Sequence, residues 1–310
     1  MSGPAIIAAL DPARQSRRLS ALTPIFDYWV LTKPEVNFLI LITTLAGFYL
    51  SCANATRPYS FTLMFNILLG TLLVASGSGT LNQYIERDFD RQMRRTAYRP
   101  AAAGRLKPHR VLAFGITLSA AGTIYLAAAS PLACVVALLT MPAYLFLYTP
   151  LKRRTPLCVL VGALPGAAPP LIGWVGASGR LCQQAWVLYS ILFLWQFPHF
   201  MSIAWMYRED YDRAGYSVLP KNGARSACVI LQTILPLLGL IAVSMLHFPS
   251  RHPLAYCCAA ILLSLAFLYF GLEFALQQSA ITARRLLVAS IAYLPLLYIL
   301  RALLCTATRI

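Results

Sequence analysis

The chain has 310 residues, 59% hydrophobic and 12% charged, with a mean hydropathy of +0.66. A water-soluble domain carries about 25% charged residues, so a soluble enzyme, a disordered chain and a disulfide scaffold are all excluded. A net charge of +16 on so apolar a chain points to basic loops on an integral membrane protein and not to nucleic acid.

In chain order, residues 1–35 form a polar to moderately apolar segment with Arg14, Arg17, Arg18 and Lys33. It has no long apolar run, so a cleaved signal is not expected, while a short organellar transit segment stays open. Stretches long enough to cross a bilayer, which takes about 20 mostly apolar residues, follow at 36–53, 60–81, 111–129, 131–150, 157–177, 186–206, 227–248, 253–272 and 286–305. The fifth contains Gly162-Ala-Leu-Pro-Gly-Ala-Ala-Pro-Pro170. Such a break survives in a membrane only where neighbouring protein satisfies the freed backbone groups, so this span is expected inside the bundle. With the N-terminus inside, 21 of the 26 basic residues fall on inside segments. Only Arg57, Arg180, Arg251, Arg301 and Arg309 are left outside, as the positive-inside rule asks. The expected fold is therefore all-α, with nine transmembrane helices around a central cavity. Residues 1–35 would be a cytoplasmic segment and 36–305 one intramembrane domain, its C-terminus on the opposite side. The eight cysteines lie mostly in apolar runs without C-x-x-C spacing and read as small buried hydrophobes. The glycosylation triplet Asn54-Ala-Thr56 carries no weight.

Two inside loops hold the candidate chemistry. After the second span, Asn82, Glu86 and Asp90 recur at i, i+4 and i+8, which puts them on one face of a continuing helix. Asp88 points elsewhere. Carboxylates with a nearby carboxamide suit Mg²⁺, which takes one or two carboxylates and completes its octahedron with phosphate and water. Arg91, Arg94, Arg95 and Arg99 follow directly, and guanidinium groups grip phosphate in a bidentate way. After the sixth span, Tyr207-Arg-Glu-Asp-Tyr-Asp-Arg213 supplies a second acidic cluster. Its position four spans later predicts a four-helix unit used twice, with a ninth helix added. Two such clusters could each hold one Mg²⁺ about a shared diphosphate. A third segment, Tyr148-Thr-Pro-Leu-Lys152-Arg-Arg154, either sets topology or offers Lys152 and Arg153 to the leaving diphosphate. The plain alternative for the first loop is a solvated helix end with ordinary inside arginines.

Together these residues resemble the UbiA-type intramembrane prenyltransferases, through Asn82-x-x-x-Glu-x-x-x-Asp90, Arg95-Thr-Ala-Tyr-Arg99-Pro and the second acidic motif. Finer features are similar to the branch of that family that farnesylates heme. These are Tyr148-Thr-Pro-Leu-Lys-Arg-Arg-Thr155, Gly166-Ala-Ala-Pro-Pro-Leu-Ile-Gly-Trp174, Trp195-Gln-Phe-Pro-His-Phe200 and Asp210-Tyr-Asp-Arg-Ala-Gly215 continuing to Leu219-Pro220. The resemblance implies Asn82, Glu86 and Asp90 as the first Mg²⁺-diphosphate motif and Glu209 and Asp210 in the second. It also implies Arg95, Arg99 and Lys152 as phosphate contacts, and Arg153, Tyr148 and Arg208 are further candidate substrate-binding residues. The substrates it implies are farnesyl diphosphate and heme B, whose vinyl group would be alkylated to give heme O. The setting it implies is the bacterial inner membrane, with a downstream heme-modifying membrane enzyme as a further partner. Three positions depart from the pattern. Glu86 stands where Asp is commoner, Ala101-Ala-Ala103 replaces a Pro-containing turn, and Tyr216-Ser-Val218 replaces Ile-Pro-Met.

His199 has two readings: a hydrogen-bonded structural residue, or a ligand to heme iron, which imidazole commonly provides. Its place in the Trp-Gln-Phe-Pro-His-Phe tract favours the heme side. Trp195 and Trp205 could equally anchor at the interface. His109 reads as a loop residue, and His247 and His252 lie on the outside. Rival functions are the same chemistry on an aromatic acid or quinone precursor, and a transporter that uses its midplane breaks to move a solute.

Overall fold

The computed structural model of the chain describes residues 24–55, 60–219, 227–246 and 252–304. Of the positions singled out above, Arg14, Arg17, Arg18, Thr56, Arg57, Pro220, His247, Arg251, Cys305 and Arg309 lie outside them. The described elements are α1 (Pro24–Leu31), α2 (Pro34–Ala55), α3 (Phe61–Asp90), α4 (Pro108–Ala129) and α5 (Pro131–Pro142), which runs through a π-helical turn, Ala143–Tyr148, into Thr149–Leu151. They continue with α6 (Cys158–Gly166), α7 (Ala168–Ser178), α8 (Gln183–Met206), α9 (Arg208–Arg213), α10 (Ala227–Ser244), α11 (Pro253–Gln277) and α12 (Ala280–Leu304). Among the described residues there are nine spans, as expected, with α6 and α7 together forming the fifth.

Local chemistry explains the punctuation. Proline opens α2, α4, α5 and α11, where its missing N–H is one that the first turn leaves unbonded anyway. Ser60 caps α3 by accepting from the Leu63 N–H at 3.2 Å. Ser130 ends α4 and accepts from Ala133 at the start of α5. The fifth span breaks at Ala167 because Pro169 and Pro170 donate no backbone hydrogen bond. Its most apolar stretch is 78% buried, the largest share of any span, so the expectation that it packs inside holds.

Neighbours in sequence pack side by side, and the last span, α12, also packs on α8, α11 and α2, so the spans close into a ring. Helix α7 packs against α2, α3, α5 and α8. Its crossing with α2 is backbone on backbone: a Cβ on Gly173 would stand 1.9 Å from the Thr44 carbonyl oxygen, and one on Gly47 2.2 Å from that of Pro170. Small residues let helices approach this closely where lipid removes the hydrophobic drive between them. Large apolar side chains such as Phe65, Ile124, Leu139, Leu235 and Leu262 are exposed on the outer surface, as a chain bathed in hydrocarbon requires.

Helix α3 continues nine residues past its apolar span, as the spacing of Asn82, Glu86 and Asp90 predicts, 30 residues in all and about 45 Å long. The polar residues of its last turns do not end it, because their buried face is paired with basic groups from other elements. The structure corrects several other expectations. The last span begins at Ala280, six residues early, so Arg284 and Arg285 stand on its first turns, and Arg285 pairs with Glu273 of α11. Arg301, counted among the outside charges, is fully buried within α12 and donates to the Ser244 carbonyl at 3.1 Å. Trp195 and Trp205 are buried and so do not anchor at an interface. His109 is the second residue of α4 and not a loop residue. The seven described cysteines form no disulfide, and although Cys134 and Cys158 are buried, Cys258 is exposed.

Candidate active site

One end of the ring gathers the last turns of α3, the loop 91–107, the end of α5 and the stretch 207–219. Asn82, Glu86 and Asp90 are 1%, 5% and 1% exposed and share a face, as their spacing predicts. Asp88, off that face, is solvated and pairs with Arg87 and Arg91.

Each buried oxygen donor already holds a cation. The Lys33 ammonium donates to Asn82 Oδ1 at 2.6 Å, while the amide nitrogen of Asn82 donates to Thr149 Oγ1 at 3.1 Å. Lys152 Nζ donates to both Glu86 oxygens at 2.9 and 3.2 Å, and the Tyr216 hydroxyl donates to Glu86 Oε1 at 3.2 Å. Arg99 Nη1 bonds both oxygens of Asp90 at 3.0 and 2.9 Å. Asp210 from the second acidic cluster accepts from Arg213 at 3.0 Å and from the backbone N–H of Arg95 at 3.4 Å. The Arg95 guanidinium lies between the rings of Tyr207 and Tyr211, at 4.4 and 4.5 Å. The two acidic clusters and the basic segment after α5 therefore meet on one side of the bundle, and the Ser217 N–H bond to the Lys152 carbonyl at 2.7 Å ties two of them directly.

Local backbone aims these groups. Pro150 has no N–H to donate, and the Thr149 N–H bonds Tyr144 O, five residues back, in a π turn. Such turns are frequent at functional sites. This one stacks Tyr144 on Tyr148 at 5.7 Å and sets the Lys152 ammonium 4.6 Å over the Tyr148 ring. Tyr148 fits because Gly162 lacks a Cβ, which would stand 2.5 Å from the ring. Lys33 adopts a left-handed backbone, φ 54°, at a cost of about 1–2 kcal/mol for a non-glycine residue, and its side chain reaches both Asn82 and the Tyr144 hydroxyl. Burial opposes the charge of Lys152, but Glu86 beside it, with the oxygens of Tyr148 and Tyr144, raises its pKa well above the ordinary lysine value. Burial, then the Glu86 charge, pushes the Tyr216 phenol well up, so it remains a donor.

Other predicted residues stand apart. Glu209 is exposed beside buried Asp210. Arg208 stacks over Trp205 at 5.4 Å and donates to its carbonyl. Arg153 is exposed and lies over Phe89 at 4.3 Å. His199 sits deeper in α8, bonded to Ser290 of α12 at 2.8 Å. Lys33, Tyr144, Thr149 and Tyr216 were not among the expected site residues. Lys33 reads in sequence as a topology charge, and Tyr216 is legible only as a departure from the family pattern.

Among the described residues, no three His, Cys, Asp or Glu side chains gather closely enough to cage a metal. The donors are nonetheless hard oxygens, each holding a cation within hydrogen-bond reach. That set fits Mg²⁺, which needs only one or two protein carboxylates when phosphate oxygens complete its shell.

Residues 40–297 match the UbiA prenyltransferase family. The chain is 44% identical over 282 residues to the protoheme IX farnesyltransferase of Solibacter usitatus, covering 88% of this chain and 96% of the relative. It is 38% identical over 286 residues to the protein of that name from Koribacter versatilis, covering 88% and 91%. The fold is similar to a digeranylgeranylglyceryl phosphate synthase (TM-score 0.70, 12% identity, 90% and 97% covered). It is also similar to a UbiA homologue from Archaeoglobus fulgidus bound to GPP and Mg²⁺ (TM-score 0.61, 15% identity, 88% and 99% covered).

Proposed function

The chain belongs to the UbiA prenyltransferase family, and from that premise we propose that it transfers the farnesyl group of farnesyl diphosphate to a vinyl group of heme B, giving heme O. The acceptor comes from the name of the relatives. The single observation that carries the donor side is the set of four buried oxygen donors, Asn82, Glu86, Asp90 and Asp210, each bonded to a basic group or a backbone N–H.

That arrangement is a charge-exchange site. When a diphosphate enters, Lys33, Lys152 and Arg99 can transfer their hydrogen bonds from the side-chain oxygens to phosphate oxygens, which frees those donors for Mg²⁺. Bound with the diphosphate, Mg²⁺ supplies positive charge that stabilises the leaving group. The Arg95 guanidinium rests on two tyrosine rings and pairs with none of the carboxylates among the described residues, which leaves its charge for the anion. Positive charge fixed in advance where negative charge develops is typically the largest catalytic contribution. The allylic C–O bond breaks with its electron pair leaving on diphosphate, and the terminal vinyl carbon of heme bonds to farnesyl C1. Water then adds to the resulting cation and loses a proton. The apolar interior of the bundle would hold the prenyl chain and keep water from the allylic cation until the acceptor attacks. His199 is assigned to the heme. The bacterial relatives support an inner-membrane location, and the charge bias supports acidic loops and an N-terminus on the cytoplasmic side with the C-terminus opposite. The product would pass to a downstream heme-modifying membrane enzyme.

The test is diphosphate release by the purified protein in detergent. Release should require Mg²⁺, farnesyl diphosphate and heme B together. Release indifferent to heme B would remove heme as the acceptor, and no release under any combination would favour a transporter.

A further inference from the structure

His199 lies seven residues before the end of α8, away from the acidic cluster, and its ring is held from two directions. It stacks on Trp195 with ring centroids 4.5 Å apart and planes 22° from parallel. Its Nδ1 lies 2.8 Å from Ser290 Oγ. Trp195 in turn donates its indole N–H to the Ser290 carbonyl at 2.7 Å, so the two helices are joined at both the ring and its partner. Ser290 is fully buried.

The proton positions follow from counting donors. A serine hydroxyl has one proton, and that of Ser290 is directed to the Leu287 carbonyl at 2.6 Å, the shorter of its two contacts. Toward His199 the same oxygen can then only accept. In that arrangement Nδ1 carries the imidazole proton, and Nε2 keeps its lone pair. Among the described residues Nε2 makes no hydrogen bond, and His199 is half-buried. A neutral imidazole with one N–H tied to a fixed oxygen and the other nitrogen open is how proteins prepare histidine to bind a metal. Heme iron is the metal of the proposed acceptor.

We propose that Ser290 is a positioning residue for the acceptor. By accepting from Nδ1 it holds His199 in the tautomer that presents Nε2 as an axial ligand to heme iron. Trp195 fixes the plane of the ring and hence the tilt at which the porphyrin can sit. The inference rests on the heme-acceptor reading and adds the residue that specifies which nitrogen binds.

The experiment is a titration of the full-length purified protein with ferric heme B, read by optical and electron paramagnetic resonance spectra. Iron-free protoporphyrin IX serves as the control ligand. The wild type should give a nitrogen-ligated ferric spectrum. His199→Ala should abolish it, with added imidazole restoring it. Ser290→Ala should weaken heme affinity about tenfold, the scale on which outer partners of metal-bound histidine act, and should broaden the ligated signal, while Ser290→Thr retains it. If Ser290→Ala does not fold, Ser290→Cys keeps the volume but accepts poorly and should give the same weakening. Affinity for iron-free protoporphyrin should be unchanged in all variants, since a purely structural defect would lower both. An unaltered spectrum in His199→Ala would overturn the heme-ligand reading itself. Loss of the signal in His199→Ala but full affinity and signal in Ser290→Ala and Ser290→Cys would overturn only the role of Ser290.

Discussion

Lys152 and Glu86 are both largely buried and hold each other at 2.9 Å, so neither can be removed without stranding the other. Breaking such a pair typically costs about 3–5 kcal/mol because an uncompensated charge is left in a poor solvent. Lys152→Met should therefore lower the unfolding midpoint as well as abolish transfer. Adding Glu86→Gln should recover most of the stability and none of the activity, which a melting curve beside a turnover assay would decide. Lys33 behaves differently. Its backbone is already strained and its partner, Asn82, is neutral, so Lys33→Gly should leave the melting temperature unchanged or higher while weakening farnesyl diphosphate binding. Equal diphosphate affinity in that variant would remove Lys33 from the site. Asp90→Asn should reduce turnover on the order of 10²-fold or more, the usual scale for losing one such electrostatic group, whereas Glu86→Asp should be tolerated or mildly impaired. At this scale the sequence makes the Asn82–Glu86–Asp90 face legible, because a period of four needs only one helix. It hides Lys33 and Tyr216, whose partners are 49 and 130 residues away.

At the scale of elements, hydropathy locates all nine spans because each is a long apolar run. It misplaces two boundaries where polar residues continue a helix: the 82–90 extension of α3 and the first turn of α12. The π turn that aims Tyr144 and Tyr148 leaves no hydropathy signal, though Pro150 marks the missing donor. The crossing of α2 and α7 is the element contact least able to adjust. Gly173→Ala would drive a methyl into the Thr44 carbonyl, and backbone cannot rotate away as a side chain can. It should destabilise by roughly 1–3 kcal/mol. Gly239→Ala, which meets only the flexible tip of Leu194 at 3.1 Å, should cost much less. Thermal unfolding of the two variants in the same detergent checks the ordering, and equal midpoints would contradict it.

For the whole molecule, charge bias puts these loops on one side, and the Lys152–Glu86 ion pair and the Arg95 N–H bond to Asp210 agree, since they join the three stretches. The closure of α12 onto α2 and the burial of Arg301 come from packing that hydropathy does not record. Single cysteines introduced in 91–107 and 207–219 of a cysteine-free background should react with an impermeant thiol reagent from the same side, and one near Arg180 from the other. Labelling of the two acidic loops from opposite sides would separate the donors of the proposed diphosphate site. The central claim is a new carbon–carbon bond between a farnesyl group and heme. Mass analysis of heme recovered from purified protein given Mg²⁺, farnesyl diphosphate, heme B and an aromatic acid in competition tests it directly. The account predicts a heme heavier by one farnesyl group and one hydroxyl, with the aromatic acid unaltered. Unmodified heme beside a prenylated aromatic acid would contradict it.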